Sequence, residues 1–112
     1  MNIVFKSSKL AKYCNSLKAA QKQWGTICGK LVMKRLDDIR DSDNLMVLQK
    51  VPQARCHPLK GDMAGFWSLD VEHPYRLLIE PADEKLPMTP DGRLDAEAIT
   101  AVRVIGVRDT HG

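Results

Sequence analysis

A chain of 112 residues can bury one hydrophobic core but hardly two, so we expect a single domain over residues 1–112. Hydrophobic residues make up 44% of the sequence and charged residues 28%, a balance that excludes an intrinsically disordered chain. The formal charge of +3 permits a polyanionic partner without requiring one. The sequence has neither a secretion signal nor a stretch near the ~20 apolar residues of a membrane span, so we expect a cytoplasmic protein without membrane contact.

The first half of the chain predicts a short strand and two helices. Residues 3–5 are β-prone, and Ser7 and Ser8 offer an N-cap before apolar residues at helical spacing from Leu10 to Leu17. The second helix, residues 26–40, has an apolar stripe that consists of Ile27, Leu31, Val32, Leu36 and Ile39. Residues 41–44 interrupt this helix, and residues 45–49 are expected to add one further turn before Pro52.

The second half of the chain predicts strands. Residues 66–71 and 75–80 alternate in polarity, and residues 72–74 between them are typical of a hairpin turn. Residues 81–95 contain three prolines and several acids and predict an exposed loop, whereas residues 99–107 are β-branched enough for a central strand. Together these elements predict an α+β fold with the helices on one face of a mostly antiparallel sheet.

The cysteines and histidines do not form a recognisable metal site. The cysteines are Cys14, Cys28 and Cys56, an odd number at wide spacing, which predicts reduced thiols rather than disulfide bonds. Cys56, His57, His73 and His111 are potential metal ligands, but no pair of them has the spacing of zinc ligands, and adjacent Cys and His side chains rarely face one ion. We therefore expect no metal.

Four motifs follow one another in a fixed order. They are residues 34–39 (KRLDDI), residues 55–62 (RCHPLKGD), residues 65–71 with 75–81 (GFWSLDV and YRLLIEP), and residues 107–112 (VRDTHG). In this order they resemble the toxins of the RelE/ParE superfamily, specifically its HigB or killer protein branch. The resemblance extends over nearly the whole chain.

The resemblance implies a fold, an activity and partners. The fold is RelE-like, with two N-terminal helices packed on a small sheet. The activity is that of a type II toxin–antitoxin toxin, a metal-independent endoribonuclease that cuts mRNA on the translating ribosome and needs no cofactor. The partners are the ribosome, mRNA and a cognate helix-turn-helix antitoxin of the HigA type, with which the toxin is able to form a higher-order complex.

The resemblance also assigns the catalytic group, which consists of His57, Arg76, Asp109 and His111. Cutting RNA without a metal requires a proton to be taken from the 2′-hydroxyl, charge on the phosphate to be stabilised, and a proton to be given to the leaving 5′-oxygen. His57 and His111 are suited to the proton transfers, and spacing does not decide which is the base and which the acid. Asp109 is suited to orient an imidazole, and Arg76, on the polar side of its strand, to hold the scissile phosphate in bidentate fashion.

A basic patch is expected around the catalytic group. Arg55, Lys60 and Arg108 flank it in sequence and are expected to converge on it and bind RNA. Thr110 stands where the family usually has a tyrosine and is assigned an RNA contact as well. Six basic residues on the helices are suited to touch ribosomal RNA, but a solvated helix face explains them equally well; they are Lys12, Lys18, Lys22, Lys30, Lys34 and Arg35.

Three alternatives stay open at this point, one of which is a degenerate toxin that still binds an antitoxin but has little activity, to which only Thr110 points. His57, His111 and Arg76 each have an ordinary interpretation, as a loop histidine, a terminal histidine and a surface arginine in a salt bridge. The alternative function is that of a ParE-like toxin, which shares the fold but binds DNA gyrase and is not an enzyme. Titratable groups at His57, Asp109 and His111 favour the enzyme, because an inhibitor has no need of them there.

Overall fold

Polar side chains fix where three of the helices begin. In the computed structural model, which describes residues 1–110, Ser7, Ser16 and Asn44 each accept a hydrogen bond from the backbone N–H three residues further along. The donor–acceptor distances are 3.1, 3.1 and 3.0 Å. These bonds satisfy N–H groups that the first turn of a helix leaves unpaired.

Four helices and five strands make up the described part of the chain. In chain order they are β1 (Asn2–Phe5), α1 (Ser8–Tyr13), α2 (Leu17–Trp24), α3 (Thr26–Asp41), α4 (Leu45–Gln49), β2 (His57–Pro58), β3 (Trp67–Asp70), β4 (Tyr75–Pro81) and β5 (Ala101–Asp109). Short 3₁₀ turns lie at Gly61–Met63 and Ala96–Ala98. Within residues 1–110, no helix has the length and apolar character needed to cross a membrane.

The sheet confirms the predicted α+β architecture. Its strand order is β1-β5-β4-β3-β2, in which only the β1–β5 pair is parallel among the described strands. The predicted hairpin is present, with Leu69 opposite Leu77 and Asp70 opposite Arg76. The predicted central strand, β5, lies between β1 and β4. The sheet is therefore mostly antiparallel, as the sequence indicates.

The helices cover one face of the sheet. Buried residues of this face form one cluster with the helices, and they include Leu36, Ile39, Trp67, Leu69, Leu77, Ile79, Val102 and Val104. Because side chains alternate along a strand, Ser68, Arg76 and Leu78 lie on the opposite face. We call this opposite face, whose Leu78 is buried but does not belong to the cluster with the helices, the outer face.

The first predicted helix is divided in two. Residues 8–17 had the spacing of one helix, but α1 ends at Tyr13 and α2 begins at Leu17, because the Ser16 hydroxyl caps a new helix. Leu17, predicted to face the core, is 46% exposed. The bounds of α3 agree with the prediction. Ile27, however, was predicted to belong to the apolar stripe and is 60% exposed, whereas the next residue, Cys28, is buried.

The loop after β4 has local structure of its own. Pro81 is the last residue of β4 and is buried, rather than part of the predicted exposed loop. Further on, Met88 and Leu94 pair in an isolated antiparallel bridge. Thr89 N–H donates to the Arg93 carbonyl at 2.7 Å inside this turn. Residues 88–94 therefore form a hydrogen-bonded turn of their own outside the main sheet.

Gly29→Ala is expected to destabilise the fold, although alanine usually favours a helix over glycine. A Cβ at position 29 would lie 2.5 Å from the backbone N of Gln21 and 2.6 Å from the backbone C of Ala20, so α2 would have to move. Overpacking of this kind costs about 1–3 kcal/mol. Urea denaturation should show that loss for Gly29→Ala, whereas Lys30→Ala, at an exposed position of the same helix, should change stability by less than about 0.5 kcal/mol. Equal stability of Gly29→Ala and the wild type would contradict the close packing of α2 on α3.

Candidate active site

The outer face brings polar residues from distant parts of the chain into rows across the strands. His57 is opposite Ser68, which is opposite Leu78 on β4. In the next row, Asp70 is opposite Arg76, which is opposite Arg108 on β5. Directly opposed residues of antiparallel strands project to the same face, so both rows lie on the outer face.

Asp70 joins two of the predicted arginines. The Nε atom of Arg76 lies 3.1 Å from Oδ1 of Asp70, and the Nε atom of Arg55 lies 3.6 Å from Oδ2. Arg76 is largely enclosed, with 17% of its side chain exposed, whereas the Arg55 side chain is 74% exposed. The Nη1 group of Arg76 also donates to the carbonyl of Tyr75 at 2.9 Å. Arg76 is therefore held in place, while Arg55 is free to follow a ligand.

Positive charge exceeds negative charge in this part of the outer face. Arg108 is exposed and directly opposite Arg76, an arrangement of like charges that destabilises a sheet unless an anion separates them. No carboxylate of residues 1–110 lies within 4 Å of the Arg108 guanidinium. Asp70 thus pairs with Arg55 and Arg76, whereas Arg108 forms no ion pair within residues 1–110. The three guanidinium groups therefore carry an excess of positive charge over the one carboxylate, which favours binding of a phosphate.

The arginine at position 55 has an unusual backbone. Its φ angle is +46°, in the left-handed region that few residues other than glycine adopt. Such a conformation costs about 1–3 kcal/mol and is frequent at functional sites. The same residue offers its carbonyl oxygen to the His57 ring, with 2.8 Å between the oxygen and Nδ1. The strained residue therefore orients the histidine.

The hydrogen bond of His57 decides which ring nitrogen is available for chemistry. A carbonyl oxygen only accepts, so the bond to Arg55 requires the proton on Nδ1. In the neutral ring this leaves the lone pair on Nε2. His57 is exposed, so Nε2 is open to an incoming hydroxyl. The hydrogen bond therefore orients Nε2 of the neutral ring, and not Nδ1, as the nitrogen that can accept a proton.

Ser68 lies beside His57 and is the polar group that the fold leaves least satisfied. It is 1% exposed, and its Oγ atom is buried without a hydrogen-bond partner in the described chain. A buried hydroxyl without a partner is costly, and such groups are rare in native proteins. Ser68 is opposite His57 on the neighbouring strand, so its unpaired hydroxyl group is next to the histidine that we consider the candidate base.

The other predicted site residues are not all brought to the same place. Asp109 is exposed and opposite Tyr75, so strand alternation assigns it to the face of Val107 rather than to that of Arg76. Thr110 is half-buried directly after β5. Lys60 is exposed in the connection from β2 to β3, at the end of these strands away from Asp70. His111 lies outside the described residues. The roles of these four residues stay predictions.

The cysteines do not take part in the site. All three are unpaired and buried. Burial raises the pKa of Cys56 to about 12, and burial likewise raises the pKa of Cys14 to about 11, against a weaker lowering by Arg40. Burial also raises the pKa of Cys28. A thiol with a raised pKa stays protonated and is a poor nucleophile and metal ligand near neutral pH.

The described residues contain no group suited to hold a metal. Among residues 1–110, no three side chains of His, Cys, Asp or Glu come together in a way that could hold an ion. Cys56 is buried and its neighbour His57 is exposed on the outer face, so the two side chains point apart.

The sequence did not predict the roles of two important residues. Asp70 bridges the arginines, and the signal for it was the hairpin turn centred on His73, which pairs residue 70 with residue 76. Arg35 is a buried arginine of α3 whose Nε atom donates to the Asp70 carbonyl at 2.6 Å and whose Nη1 atom contacts Asp38 at 3.1 Å. It anchors the end of β3 to the helix layer. The sequence predicted Arg35 to lie on the solvated face of its helix, and this is wrong, because the side chain is buried against the end of β3.

Comparison with known proteins gives likenesses of fold. No family model matches the sequence, and no curated protein matches it. Among solved structures, the chain is similar to the YoeB/ParE toxin from Agrobacterium tumefaciens, with a TM-score of 0.47 and 18% identity over 99% of this chain and 100% of that chain. It is also similar to a chain of the YoeB-YefM complex from Staphylococcus aureus, with a TM-score of 0.46 and 14% identity over 96% of this chain and 94% of that chain.

Proposed function

We propose that this protein is the toxin of a type II toxin–antitoxin system and cuts mRNA on the translating ribosome. The observation that carries the proposal is the outer-face group of His57, Arg55, Arg76 and Arg108 around Asp70. It combines a histidine whose Nε2 is available as a base with guanidinium groups in excess over carboxylate. Proton acceptance beside a phosphate-binding cation is what metal-independent RNA cleavage requires.

The proposed mechanism begins with the 2′-hydroxyl of the substrate. His57 accepts its proton at Nε2, and the oxygen attacks the adjacent phosphorus to form a cyclic phosphate. Arg76 and Arg108, opposite each other on β4 and β5, stabilise the charge that develops on the phosphate oxygens. The 5′-oxygen of the next nucleotide leaves and takes a proton from a general acid, for which we propose His111. Asp109 faces away from Arg76 on β5, so the role we propose for it, to orient that imidazole, is based on the sequence motif, as are the RNA contacts proposed for Lys60 and Thr110. Arg55, beside Asp70, is proposed to contact flanking RNA.

The support for ribosome dependence and for the antitoxin comes from the sequence motifs. We propose a HigA-like helix-turn-helix antitoxin as the partner that holds the toxin inactive. The mRNA codon and the ribosome are the proposed substrate and setting, and the cytoplasm is the proposed location.

A matched pair of messages tests the function. In a reconstituted bacterial translation system, the protein should cut a message inside its reading frame, and the same message with its start codon removed should stay intact. Primer extension would map the 5′ ends. Equal cleavage of both messages would rule out ribosome dependence. Intact mRNA in induced cells together with gyrase-linked DNA breaks would instead indicate the ParE-like function.

A further inference from the structure

The charges of this protein are divided unequally along the chain. Residues 1–36 contain seven lysines and one arginine but no acidic residue, so all 14 aspartates and glutamates follow residue 36. The arginine of this segment, Arg35, is buried and engaged with Asp38 and the carbonyl of Asp70. The seven lysines are all exposed. The segments that form β1, α1, α2 and the first half of α3 therefore carry only basic charge, and Glu72 borders them beside Cys28.

The spacing of these lysines brings like charges together. Neighbouring pairs lie three or four residues apart on each of three helices: Lys9 and Lys12 on α1, Lys18 and Lys22 on α2, and Lys30 and Lys34 on α3. Like charges at these spacings destabilise a helix, whereas ordinary solvated helices mix both signs. No lysine of these pairs lies within 4 Å of a carboxylate in residues 1–110. The arrangement lowers the stability of the free protein and favours an anionic partner.

This cationic surface is separate from the candidate active site. The helices pack on the sheet face that carries Leu69, Leu77 and Val104, whereas Arg76 and Arg108 lie on the outer face. A ligand on the helices therefore contacts the protein on the far side of the sheet from His57.

Aromatic residues lie between the lysines. Lys12, Tyr13, Lys22 and Gln23 line a groove of about 330 Å³ between α1 and α2. Tyr13 meets Trp24 edge to face, with 5.8 Å between the ring centroids and 76° between the planes. Gln23 and Trp24 also line a second cavity, of about 220 Å³, whose wall includes Tyr75 and Val107. Tyr75 is 45% exposed there.

Gln23 lines both cavities, and Tyr13 of the first cavity contacts Trp24 of the second, so the two lie side by side along aromatic side chains. Bases of a single strand stack on aromatic rings, and the phosphates between them contact lysines in a groove. The bases of a duplex are already stacked on each other and cannot stack on these side chains, so a duplex does not fit this surface. An acidic peptide would satisfy the lysines but has no need of the aromatic rings.

We propose that the surface of α1, α2 and the first half of α3 binds a single strand of nucleic acid, with phosphates on Lys12 and Lys22 and bases against Tyr13, Trp24 and Tyr75. RNA and DNA share this chemistry. The inference goes beyond the proposed function and does not depend on it, since binding requires neither the ribosome nor cleavage.

Fluorescence anisotropy of a labelled, unstructured RNA of about 12 nucleotides tests the surface, with DNA of the same sequence as the second arm. The affinity would be measured between about 50 and 200 mM KCl, where each phosphate contact on a single strand contributes about 0.7 to the slope of log K against log salt. Lys12→Gln with Lys22→Gln should lower that slope by about 1.4. Lys50→Gln with Lys85→Gln removes the same charge from exposed positions outside the surface and should leave the slope unchanged.

Trp24→Leu should lower the affinity about tenfold, because one stacked base is lost. Thermal melting of each variant checks that the fold is intact, and the lysine variants alone keep the test decisive if Trp24→Leu unfolds. An equal loss of slope in both lysine pairs, or a slope that depends on Arg76 and Arg108 instead, would overturn the proposal. Tight binding of polyglutamate that the lysine pair weakens, with no binding of either oligonucleotide, would assign the surface to an acidic protein and also overturn it.

Discussion

Arg76→Ala is expected to lower mRNA cleavage by about 10²–10³-fold while the protein remains folded. Loss of one preoriented donor to a developing negative charge typically has this effect. The Nε and Nη1 groups of Arg76 are engaged by Asp70 and by the Tyr75 carbonyl, and Nη2 has no partner in the described chain. The guanidinium is thus fixed by two bonds and keeps donors for a phosphate oxygen. Alanine removes those donors without removing any part of the core.

The matched control is Arg103→Ala. Arg103 lies on the same face, toward the other end of β5, and its Nη1 atom is 3.5 Å from Oε2 of Glu80. Both substitutions delete an arginine side chain and one ion pair, and Arg76→Ala also removes the hydrogen bond to the Tyr75 carbonyl, so its melting temperature should fall somewhat further than that of Arg103→Ala. Cleavage on the ribosome should fall only for Arg76→Ala. Arg76→Lys should restore little, because an ammonium cannot reproduce the planar fork of donors. A fall in melting temperature that accounts for the lost cleavage would show that Arg76 is structural.

The parts of the fold that the sequence predicts well are those governed by local periodicity. The hairpin of β3 and β4 follows from alternating residues on both sides of a turn at residues 72–74, and the register then pairs Asp70 with Arg76. The apolar spacing of α3 likewise predicts its bounds to within a residue. In both cases the burial pattern of one segment determines its conformation.

The parts that could not be predicted depend on contacts between segments. The division of α1 from α2 rests on one serine cap within a continuous helical pattern. The exposure of Ile27 follows from the way α2 packs on α3, with Gly29 against the α2 backbone. Neither packing arrangement leaves a periodic signal in the sequence.

The bulge in β5 decides which C-terminal residues reach the candidate site. Ile79 pairs with Val104, but Leu78 pairs with Gly106, so Ile105 is an extra residue on β5. A bulge shifts the alternation of faces by one. Without it, Arg108 would share the core face of Val104. The bulge turns Arg108 to the outer face and Asp109 away from it, which no alternation rule applied to the sequence could foresee.

His57→Gln is expected to lower the single-turnover rate of cleavage on the ribosome by about 10²–10⁴-fold, the usual contribution of a general base. The side chain is exposed, and its hydrogen bond is to the carbonyl of Arg55, so little stability depends on the ring. Glutamine keeps a donor for that carbonyl but has no basic nitrogen. His73→Gln makes the same chemical change at an exposed histidine in the β3–β4 turn and should leave the rate unchanged.

The same measurement on His111→Ala separates the two proposed proton transfers. If His57 is the base and His111 the acid, each variant should be slow, and the double variant should be far less impaired than the product of the two losses, because groups that act as a unit are not additive. A message with a better leaving group at the cut site, such as a 5′-bridging phosphorothiolate, should restore the rate of His111→Ala but not of His57→Gln, because a thiolate leaves without a proton. Full activity of His57→Gln at a normal melting temperature would show that the orientation of its Nε2 is incidental and that the base lies elsewhere on the outer face.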